Sequence, residues 1–308
     1  MKHAKYQILN TFGLKIIAII VMSLDHAGQF LLHYGNLSFS DKNFWNNPLC
    51  ATGYVLCCVG RLALPIFCVL FAEGMRHSHD REKYVARLGL MAAIIFASEI
   101  IIRYTLQIAF DNIFLLFVCA GTFILLFERK DNYKYLMFLP LAVVIMGFSA
   151  NLYTSLTGGE LLWWPAYLRP QYNLYGFLLM VLSYFAYRLA DQRVLTYAKD
   201  NHSTLPLSEL QKSAYYRTLT NILWAIILVV VTVFFWLLSI INYQFDVYTM
   251  NIQSYALITV IPLLLYNGEK GYKHRAIQYG FYLYYPIHLG LLLLGFFLGF
   301  GYLPGANL

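Results

Sequence analysis

Long hydrophobic runs separated by short polar segments dominate the pattern of this chain. An α-helix of about 20 residues spans roughly 30 Å, the thickness of the hydrocarbon core of a bilayer. Most of the runs come close to that length or exceed it. The pattern therefore predicts an all-α polytopic integral membrane protein with about nine transmembrane helices, at residues 14–33, 52–75, 84–103, 108–127, 135–152, 172–190, 219–242, 251–266 and 279–300.

Lysine and arginine are distributed unevenly between alternate loops. If the N-terminus is cytoplasmic, all but four of the 22 basic residues fall on the cytoplasmic side, and the four exceptions are Lys42, Arg61, Arg103 and Arg169. A bias of this kind sets the orientation of membrane proteins. It predicts a cytoplasmic N-terminus and a C-terminus on the outer, periplasmic side.

The chain has no linker rich in Pro, Gly or Ser and no internal repeat, so residues 1–308 are predicted to form a single domain. One sizeable polar excursion, residues 191–218, interrupts the hydrophobic pattern on the predicted cytoplasmic side. Within it, a segment after Pro206 is predicted to form a short surface helix, with Ser208 as its cap.

Composition agrees with the membrane assignment. The chain is 60% hydrophobic and 12% charged, whereas soluble domains carry about 25% charged residues. The net charge of +7 is explained by the loops that set the orientation, so a nucleic-acid partner is not predicted. The five cysteines are an odd number in mostly apolar runs, which argues against a disulfide framework, and no metal-ligand spacing is present.

The first hydrophobic run contains an ionisable pair, Asp25-His26, past its middle. A charged side chain at that depth costs a few kcal/mol unless it faces a protein interior or a wet cavity. Lys15 precedes His26 by eleven residues, which places the two on nearly the same face, about 16 Å apart along the axis. The first helix is therefore predicted to present a cation near one membrane surface and an imidazole near the centre.

The second run carries Arg61 in its outer half and Glu73 near its cytoplasmic end, and Pro65 is predicted to kink the helix between them. Glu73 falls at about the depth of Lys15. Two interpretations stay open here. Either Lys15 and Glu73 form an ion pair, or Lys15 and the basic cluster that begins at Arg76 and His77 face a phosphate-bearing ligand that enters from the cytoplasm.

Three further features of the chain are an ion-pair spacing, a glycine-containing turn and a second histidine within a hydrophobic run. Glu99 and Arg103 are spaced as a structural ion pair on the third helix. The turn that begins at Asn267-Gly268 offers backbone amides and Lys270 to a phosphate. His288 lies about ten residues into the last run, at a depth similar to that of His26. Two buried histidines at matched depth favour a functional site over two separate core residues.

Several segments resemble, in the same order, the TraX family of conjugative plasmids, which includes the membrane enzyme implicated in N-acetylation of F pilin. The likeness runs from Leu14 to Leu289 and rests on LKIIAIIVMSLDHAG, GRLALPIFCVLFAEG, SEI, DNIF, YGFLL, LLYNGEKG and FYLYYPIHL. More distantly, the first helix is similar to the opening of the acyltransferase-3 family, in which a basic residue precedes a histidine by eleven positions. Here Lys15 replaces arginine, and lysine cannot form a bidentate fork to a phosphate.

The resemblance implies an acetyl-CoA-dependent acyltransferase in the bacterial inner membrane. The acceptor that it implies is the N-terminal amine of a pilin, presented at the outer side. His26 is then the general base, or else carries a transient acetyl group. Asp25 anchors the first helix, with Arg61 as its expected partner, and His288 donates to the thioester oxygen or holds the acceptor. The residues expected to hold acetyl-CoA are Lys15, Arg61, Glu73, Arg76, His77 and Lys270.

Three alternatives remain at this point. In the first, the acceptor is a hydroxyl of a surface glycan or lipid, because the sequence pattern of the first helix does not distinguish between acceptors. In a second class, the protein is a proton-coupled transporter, for which intramembrane Asp, His and Arg are also typical. In a third, it is a structural subunit of a secretion apparatus, in which case His26 and His288 tolerate replacement.

Overall fold

The computed structural model describes residues 4–106, 112–272 and 274–302. Across these ranges the protein is α-helical and contains no strand; two isolated parallel bridges join Leu9 to Tyr266 and Asn112 to Pro170. The helices in these ranges are α1 (Thr11–Gly35), α2 (Pro48–Gly60), α3 (Ala63–His77), α4 (Arg81–Leu106), α5 (Ile113–Phe127), α6 (Phe138–Thr157), α7 (Asn173–Asp200), α8 (Leu207–Leu210), α9 (Ala214–Ile241), α10 (Met250–Gln253), α11 (Val260–Leu264) and α12 (Arg275–Phe300).

The all-helical architecture is confirmed for the described residues. Six helical segments in the described ranges are long and apolar enough to cross a membrane. Two shorter apolar segments accompany them, Ile113–Phe127 and Met250–Leu264. The count of nine crossings and the side on which each terminus lies stay predictions. The six long segments are Thr11–Gly35, Pro48–His77, Arg81–Thr105, Asn132–Thr157, Ala214–Ile241 and Leu283–Phe300.

Helix α1 runs antiparallel to α2 and parallel to α12, so the bundle has two ends. We call them the Thr11 end, where α1 begins, and the Gly35 end, where α1 finishes. At the Thr11 end, the segment before α1 pairs with the segment after α11, and the amide of Leu9 donates to the carbonyl of Leu265 over 2.9 Å. At the Gly35 end, the Tyr34 hydroxyl donates to the carbonyl of Tyr302 over 2.7 Å, just past the end of α12.

The second predicted span is two helices with a break between them. Helix α2 ends at Gly60 and α3 begins at Ala63, so the chain breaks at Arg61 and Leu62 rather than at Pro65. The reason is that Pro65 has no N–H to donate to the carbonyl of Arg61, and its ring crowds that carbonyl. The disturbance caused by a proline thus falls four residues ahead of it, at the arginine.

Helices α1 and α2 approach each other closely through glycines. A Cβ added at Gly28 would lie 2.7 Å from the carbonyl oxygen of Gly53, and one added at Gly53 would lie 2.8 Å from the carbonyl oxygen of Gly28. Farther along, a side chain at Gly60 would overlap Asp25. Small residues allow such backbone contact between membrane helices. The contact holds the middle of α1 against the end of α2, where Arg61 follows.

Both ends of the predicted polar excursion are helical. Helix α7 continues to Asp200 and α9 begins at Ala214, so residues 201–213 alone lie between the two long helices. The predicted short helix is present as α8, but it begins after Pro206 without a side-chain cap, so the prediction that Ser208 caps it is wrong. The core of the bundle lies mainly between α3, α5, α7 and α9; its largest fully buried side chains include Trp224, Tyr175 and Tyr187.

Candidate active site

The two histidines predicted at matched depth meet. His26 on α1 and His288 on α12 share a hydrogen bond of 2.8 Å between Nδ1 of His26 and Nε2 of His288, and their rings stack with centroids 5.0 Å apart. His288 is 5% exposed, whereas His26 is half-buried. The second ring nitrogen of His288, Nδ1, lies 2.9 Å from the carbonyl oxygen of Tyr284. Both nitrogens of His288 are therefore engaged, and the expectation that His288 donates to a thioester oxygen does not fit this geometry.

Three side chains that sequence reasoning missed frame the histidine pair. The ring of Tyr284 stacks on His288 with an interplanar angle of 6°, and the ring of Tyr285 contacts both histidines edge-on. The hydroxyls of Tyr284 and Ser23 lie 2.8 Å apart. The spacing contains a signal for this set, because Ser23 precedes His26 by three residues and Tyr284 precedes His288 by four, which are same-face separations on a helix.

Asp25 and Arg61 form the expected ion pair, with 3.0 Å between Oδ1 of Asp25 and Nη2 of Arg61. The two side chains are only 9% and 15% exposed, respectively. A buried pair is stable only when further hydrogen bonds satisfy both groups. Gln29 donates to Oδ2 of Asp25 over 2.6 Å, and Arg61 donates to the hydroxyl of Tyr172 over 2.9 Å. The contacts of the Asp25 carboxylate thus anchor α1 to the break between α2 and α3. None of these described contacts is with the His26 ring.

Tyr172 holds Arg61 from a strained position. It is the residue before α7 and adopts a left-handed backbone conformation with φ of 56°. A bulky residue at positive φ costs of order 1–3 kcal/mol and persists when its surroundings require it. The hydroxyl contact with Arg61 is such a requirement. No feature of the local sequence indicates this conformation, because a left-handed turn is usually read from glycine or asparagine.

The interpretation that Lys15 pairs with Glu73 is wrong. Glu73 lies 3.0 Å from Nη1 of Arg217 on α9 and 2.9 Å from Nδ1 of His77. Lys15 instead places its ammonium 5.1 Å from the centroid of the Phe281 ring on α12. In the part of the chain that the structure describes, Lys15 makes no ion pair with a carboxylate. Its charge is therefore available to a ligand at the Thr11 end.

Arg76 and His77 do not face an open anion site. Arg76 donates to Oδ2 of Asp191 on α7 over 2.6 Å, and the other oxygen of that carboxylate accepts from Gln211 and Tyr216. His77 is paired with Glu73, as described above. These two basic residues are thus neutralised by carboxylates of the protein itself. Lys15 lies apart from them, on another helix, so the predicted basic cluster is not one continuous surface.

The turn that carries Lys270 contains two glycines in the left-handed backbone conformation. Gly268 and Gly271 have φ of 77° and 66°. One side of the turn is occupied, because a side chain at Gly268 would overlap the guanidinium of Arg217, and one at Gly271 would lie 2.7 Å from the side chain of Asn10. Lys270 itself is exposed at the Thr11 end.

Another charged cluster at the Thr11 end involves Glu128, which follows α5. Tyr184 and Arg188 donate to Oε1 of Glu128 over 2.8 and 2.6 Å, and Arg81 donates to Oε2. Burial alone would raise the pKa of Glu128, but the hydrogen bonds from Tyr184, Arg81 and Arg188 outweigh it and lower that pKa below its usual value. The cluster joins α4, α5 and α7.

A cavity of about 480 Å³ opens beside this cluster, between the start of α4 and the end of α5. None of its lining residues belongs to α1 or α12, so the cavity is not lined by the histidine pair. In the described ranges, no three His, Cys, Asp or Glu side chains come together in a way that could hold a metal ion. The cavity is lined by His79, Asp80, Arg81, Glu82, Lys83, Leu125, Glu128 and Arg129.

The predicted site residues therefore fall into two groups. His26, His288, Asp25 and Arg61 form one connected region inside the bundle. The remaining predicted residues lie at the Thr11 end in separate contacts; they are Lys15, Glu73, Arg76, His77 and Lys270. The predicted structural pair of Glu99 and Arg103 is also present, with 2.9 Å between the two charged groups.

Comparison with known proteins gives a family and one relative. The family model described as TraX protein matches residues 12–233. The chain is 27% identical over 288 residues to the probable fimbrial assembly protein FimC, serogroup H1, of Dichelobacter nodosus, which covers 92% of this chain and 94% of that protein. No solved structure matches. The matched residues include Asp25, His26 and Arg61 but end before α12, which carries His288.

Proposed function

This chain belongs to the TraX family, and from that premise we propose that it is an acetyltransferase of the bacterial inner membrane. The reaction transfers an acetyl group from cytoplasmic acetyl-CoA to an acceptor at the outer side, which is the N-terminal amine of a pilin subunit. The observation that carries the proposal is the hydrogen-bonded pair of His26 and His288 deep in a membrane bundle. The relative named as a probable fimbrial assembly protein supports a pilin as the acceptor.

The proposed step needs a base inside the bundle. The amine nitrogen attacks the thioester carbonyl, the new C–N bond forms, and the C–S bond breaks. His26 takes the proton that the amine loses and returns it to the departing thiolate, so that CoA leaves as a thiol. A positioned general base of this kind contributes roughly 10² to 10⁴ in rate. A neutral imidazole suits this work because it is both a good acceptor and, once charged, a good donor of a proton.

The donor side of the proposal rests on Lys15. It lies on the same face of α1 as His26, about 16 Å away along the axis, and has an ammonium without a carboxylate partner in the described ranges. That distance suits a donor whose phosphates stay at the Thr11 end while its long pantetheine arm brings the thioester to His26. Lys270 supplies a second cation there. Arg76 and His77 join them only if their carboxylate partners are displaced.

The test uses the purified protein in nanodiscs with radiolabelled acetyl-CoA and a pilin-derived peptide. His26→Ala should lower acetyl transfer by at least ~10²-fold. His33→Ala is the matched control, because His33 lies two turns farther along nearly the same face of α1 and is exposed; it should keep the activity. A His26→Ala protein that folds and retains more than about a tenth of the activity removes His26 from the role of base.

The acceptor is tested separately. The same peptide with a blocked N-terminus should not be labelled, and intact-mass measurement of pilins from cells with and without the gene should show a difference of one acetyl group. Label that appears instead in glycan or lipid assigns the enzyme to O-acylation. A subunit with a purely structural role predicts that both histidines tolerate replacement.

A proton-coupled transporter is the second candidate, because the Asp25–Arg61 ion pair and the histidine pair are groups that also build proton pathways through membranes. The two candidates differ in a simple assay. Proteoliposomes that contain a transporter acidify or alkalinise when its substrate is supplied, without acetyl-CoA. An acetyltransferase consumes acetyl-CoA, and it changes the pH inside the proteoliposomes only when acetyl-CoA and the acceptor are both supplied.

A further inference from the structure

The hydrogen-bond partners of His288 determine where its proton lies. Nδ1 of His288 is 2.9 Å from the carbonyl oxygen of Tyr284, and Nε2 is 2.8 Å from Nδ1 of His26. A carbonyl oxygen only accepts hydrogen bonds, so Nδ1 of His288 carries a hydrogen. A neutral imidazole has one N–H, and Nε2 of His288 is therefore an acceptor.

The same reasoning continues to His26. Because Nε2 of His288 accepts, Nδ1 of His26 must donate and carries the hydrogen of that ring. The remaining nitrogen, Nε2 of His26, then has a free lone pair. Hydrogen positions follow here from the network, as they do for histidines generally. The chain from carbonyl to His288 to His26 thus leaves one basic nitrogen, on the half-buried ring.

We propose that His288 is a positioning residue, which holds His26 in its Nδ1–H tautomer so that Nε2 of His26 takes the proton from the acceptor. The inference rests on the proposed acetyltransferase function and adds a division of labour between the two rings. His26 meets the substrate. His288 is 5% exposed, has both nitrogens engaged, and acts through His26.

The surroundings of His288 support a fixed ring. Tyr284 stacks on it with centroids 5.0 Å apart, and its hydroxyl lies 2.8 Å from the hydroxyl of Ser23 on α1. Ser23 also lies 2.9 Å from the carbonyl oxygen of Ile19, to which it donates its single hydrogen, so it accepts from Tyr284. This second contact between α1 and α12 holds the helices in register one turn away from the histidine pair.

Two substitutions separate the role of the hydrogen-bond acceptor on His288 from the role of its side-chain volume. His288→Leu keeps an apolar side chain of similar size but cannot accept from His26. His288→Gln offers an amide oxygen at a comparable reach. We expect His288→Leu to lower kcat by between ~10² and ~10⁴, the latter being the loss seen when a protease histidine takes the wrong tautomer. The KM for acetyl-CoA should stay unchanged. The kcat of His288→Gln should be at least ~tenfold higher than that of His288→Leu.

A spectroscopic measurement tests the tautomer without any activity. In protein labelled with ¹⁵N-histidine, the wild type should show a protonated Nδ1 and an unprotonated Nε2 for His26, assigned by comparison with His26→Ala. In His288→Leu, the unprotonated Nδ1 form of His26 should become populated. Retained folding of each variant is checked by its elution from a sizing column and by its melting temperature.

The outcomes distinguish this inference from the proposed function. If His26 is found in the Nε2–H tautomer, or if folded His288→Leu keeps kcat within threefold of the wild type, the inference is wrong while His26 remains the base. Equal losses in His288→Leu and His288→Gln also contradict it. If instead the wild type transfers no acetyl group but shows the expected tautomer, the assignment of the nitrogens stands and the acetyltransferase proposal fails.

Discussion

Replacing Asp25 by Asn removes one charge of the buried ion pair and keeps the shape of the side chain. The pair joins the middle of α1 to the break between α2 and α3, with 3.0 Å between the charged groups. Without the carboxylate, the guanidinium of Arg61 stays buried with two neutral partners, the hydroxyl of Tyr172 and the thiol of Cys57. We expect the folded protein to be destabilised and α1 to lose the contact that fixes its position along the neighbouring helix.

The size of the effect follows from burial. The Arg61 side chain is only 15% exposed, so it cannot recover its hydration when Asp25 is neutralised. Breaking a buried pair by removing one partner typically costs 3–5 kcal/mol. Because Tyr172 still accepts from Arg61, we expect Asp25→Asn to cost about 3 kcal/mol, the lower end of that range. The double variant Asp25→Asn with Arg61→Leu leaves no charge unpaired, and we expect it to be more stable than Asp25→Asn alone.

The measurement is the free energy of unfolding in mixed micelles, determined for the wild type, both single variants and the double variant. These four values form a double-mutant cycle that isolates the coupling between the two side chains. A cost below about 1 kcal/mol for Asp25→Asn would refute the reasoning, since that is the range of solvent-exposed pairs. Equal stability of Asp25→Asn and the double variant would show that the unpaired charge of Arg61 does not destabilise the folded protein.

Three further predictions address packing, cofactor binding and pH. Gly28→Ala should cost ~1–3 kcal/mol of unfolding free energy, because its Cβ would lie 2.7 Å from a backbone carbonyl of α2; Gly290→Ala, which meets nothing within 4 Å, is the control in the same unfolding assay. Lys15→Met should raise the KM for acetyl-CoA by roughly tenfold with little change in kcat, as expected for lost ground-state binding, while Lys5→Met should leave the steady-state kinetics unchanged. Because the pKa of Glu128 is lowered in the folded protein, its stabilising contribution is present above the unfolded value of about 4.3 and disappears as the pH falls through the lower folded value. Melting temperatures measured from pH 7 down to pH 3 should therefore fall more steeply for the wild type than for Glu128→Gln, and identical slopes would contradict the assignment.

The helices could be predicted because lipid leaves the backbone few choices. Without water to pair with, a membrane-embedded chain satisfies its amides within a helix, so hydropathy alone locates the elements. The same scarcity of partners made the Asp25–Arg61 pair predictable, since each is the sole charge at its depth on its own helix. Counting residues from the membrane surface likewise placed His26 and His288 at one level, which favoured a shared site, but the hydrogen bond between the two rings is seen only in the structure.

Pairing at the ends of the helices could not be predicted in this way. Several cations compete for Glu73 at the Thr11 end, and depth does not distinguish Lys15 from Arg217. The choice depends on which helices are neighbours, and Arg217 reaches Glu73 because α3 and α9 both pack on α7. The left-handed backbone of Tyr172 was missed for a related reason, because it is imposed by a distant contact and not by the residue itself.

The attachment of α12 has a consequence for the lipid. Among the described residues, α12 packs on the bundle mainly along α1, and the apolar residues Leu283, Ile287 and Leu291 face outward. His288 lies 14 residues before Tyr302, about 21 Å along a helix, so a swing of roughly 5° about that end would move the ring by about 2 Å. That displacement is enough to break the hydrogen bond to His26. A mismatch between bilayer thickness and helix length is accommodated in part by helix tilt, so we expect the geometry of the histidine pair to depend on the thickness of the surrounding membrane.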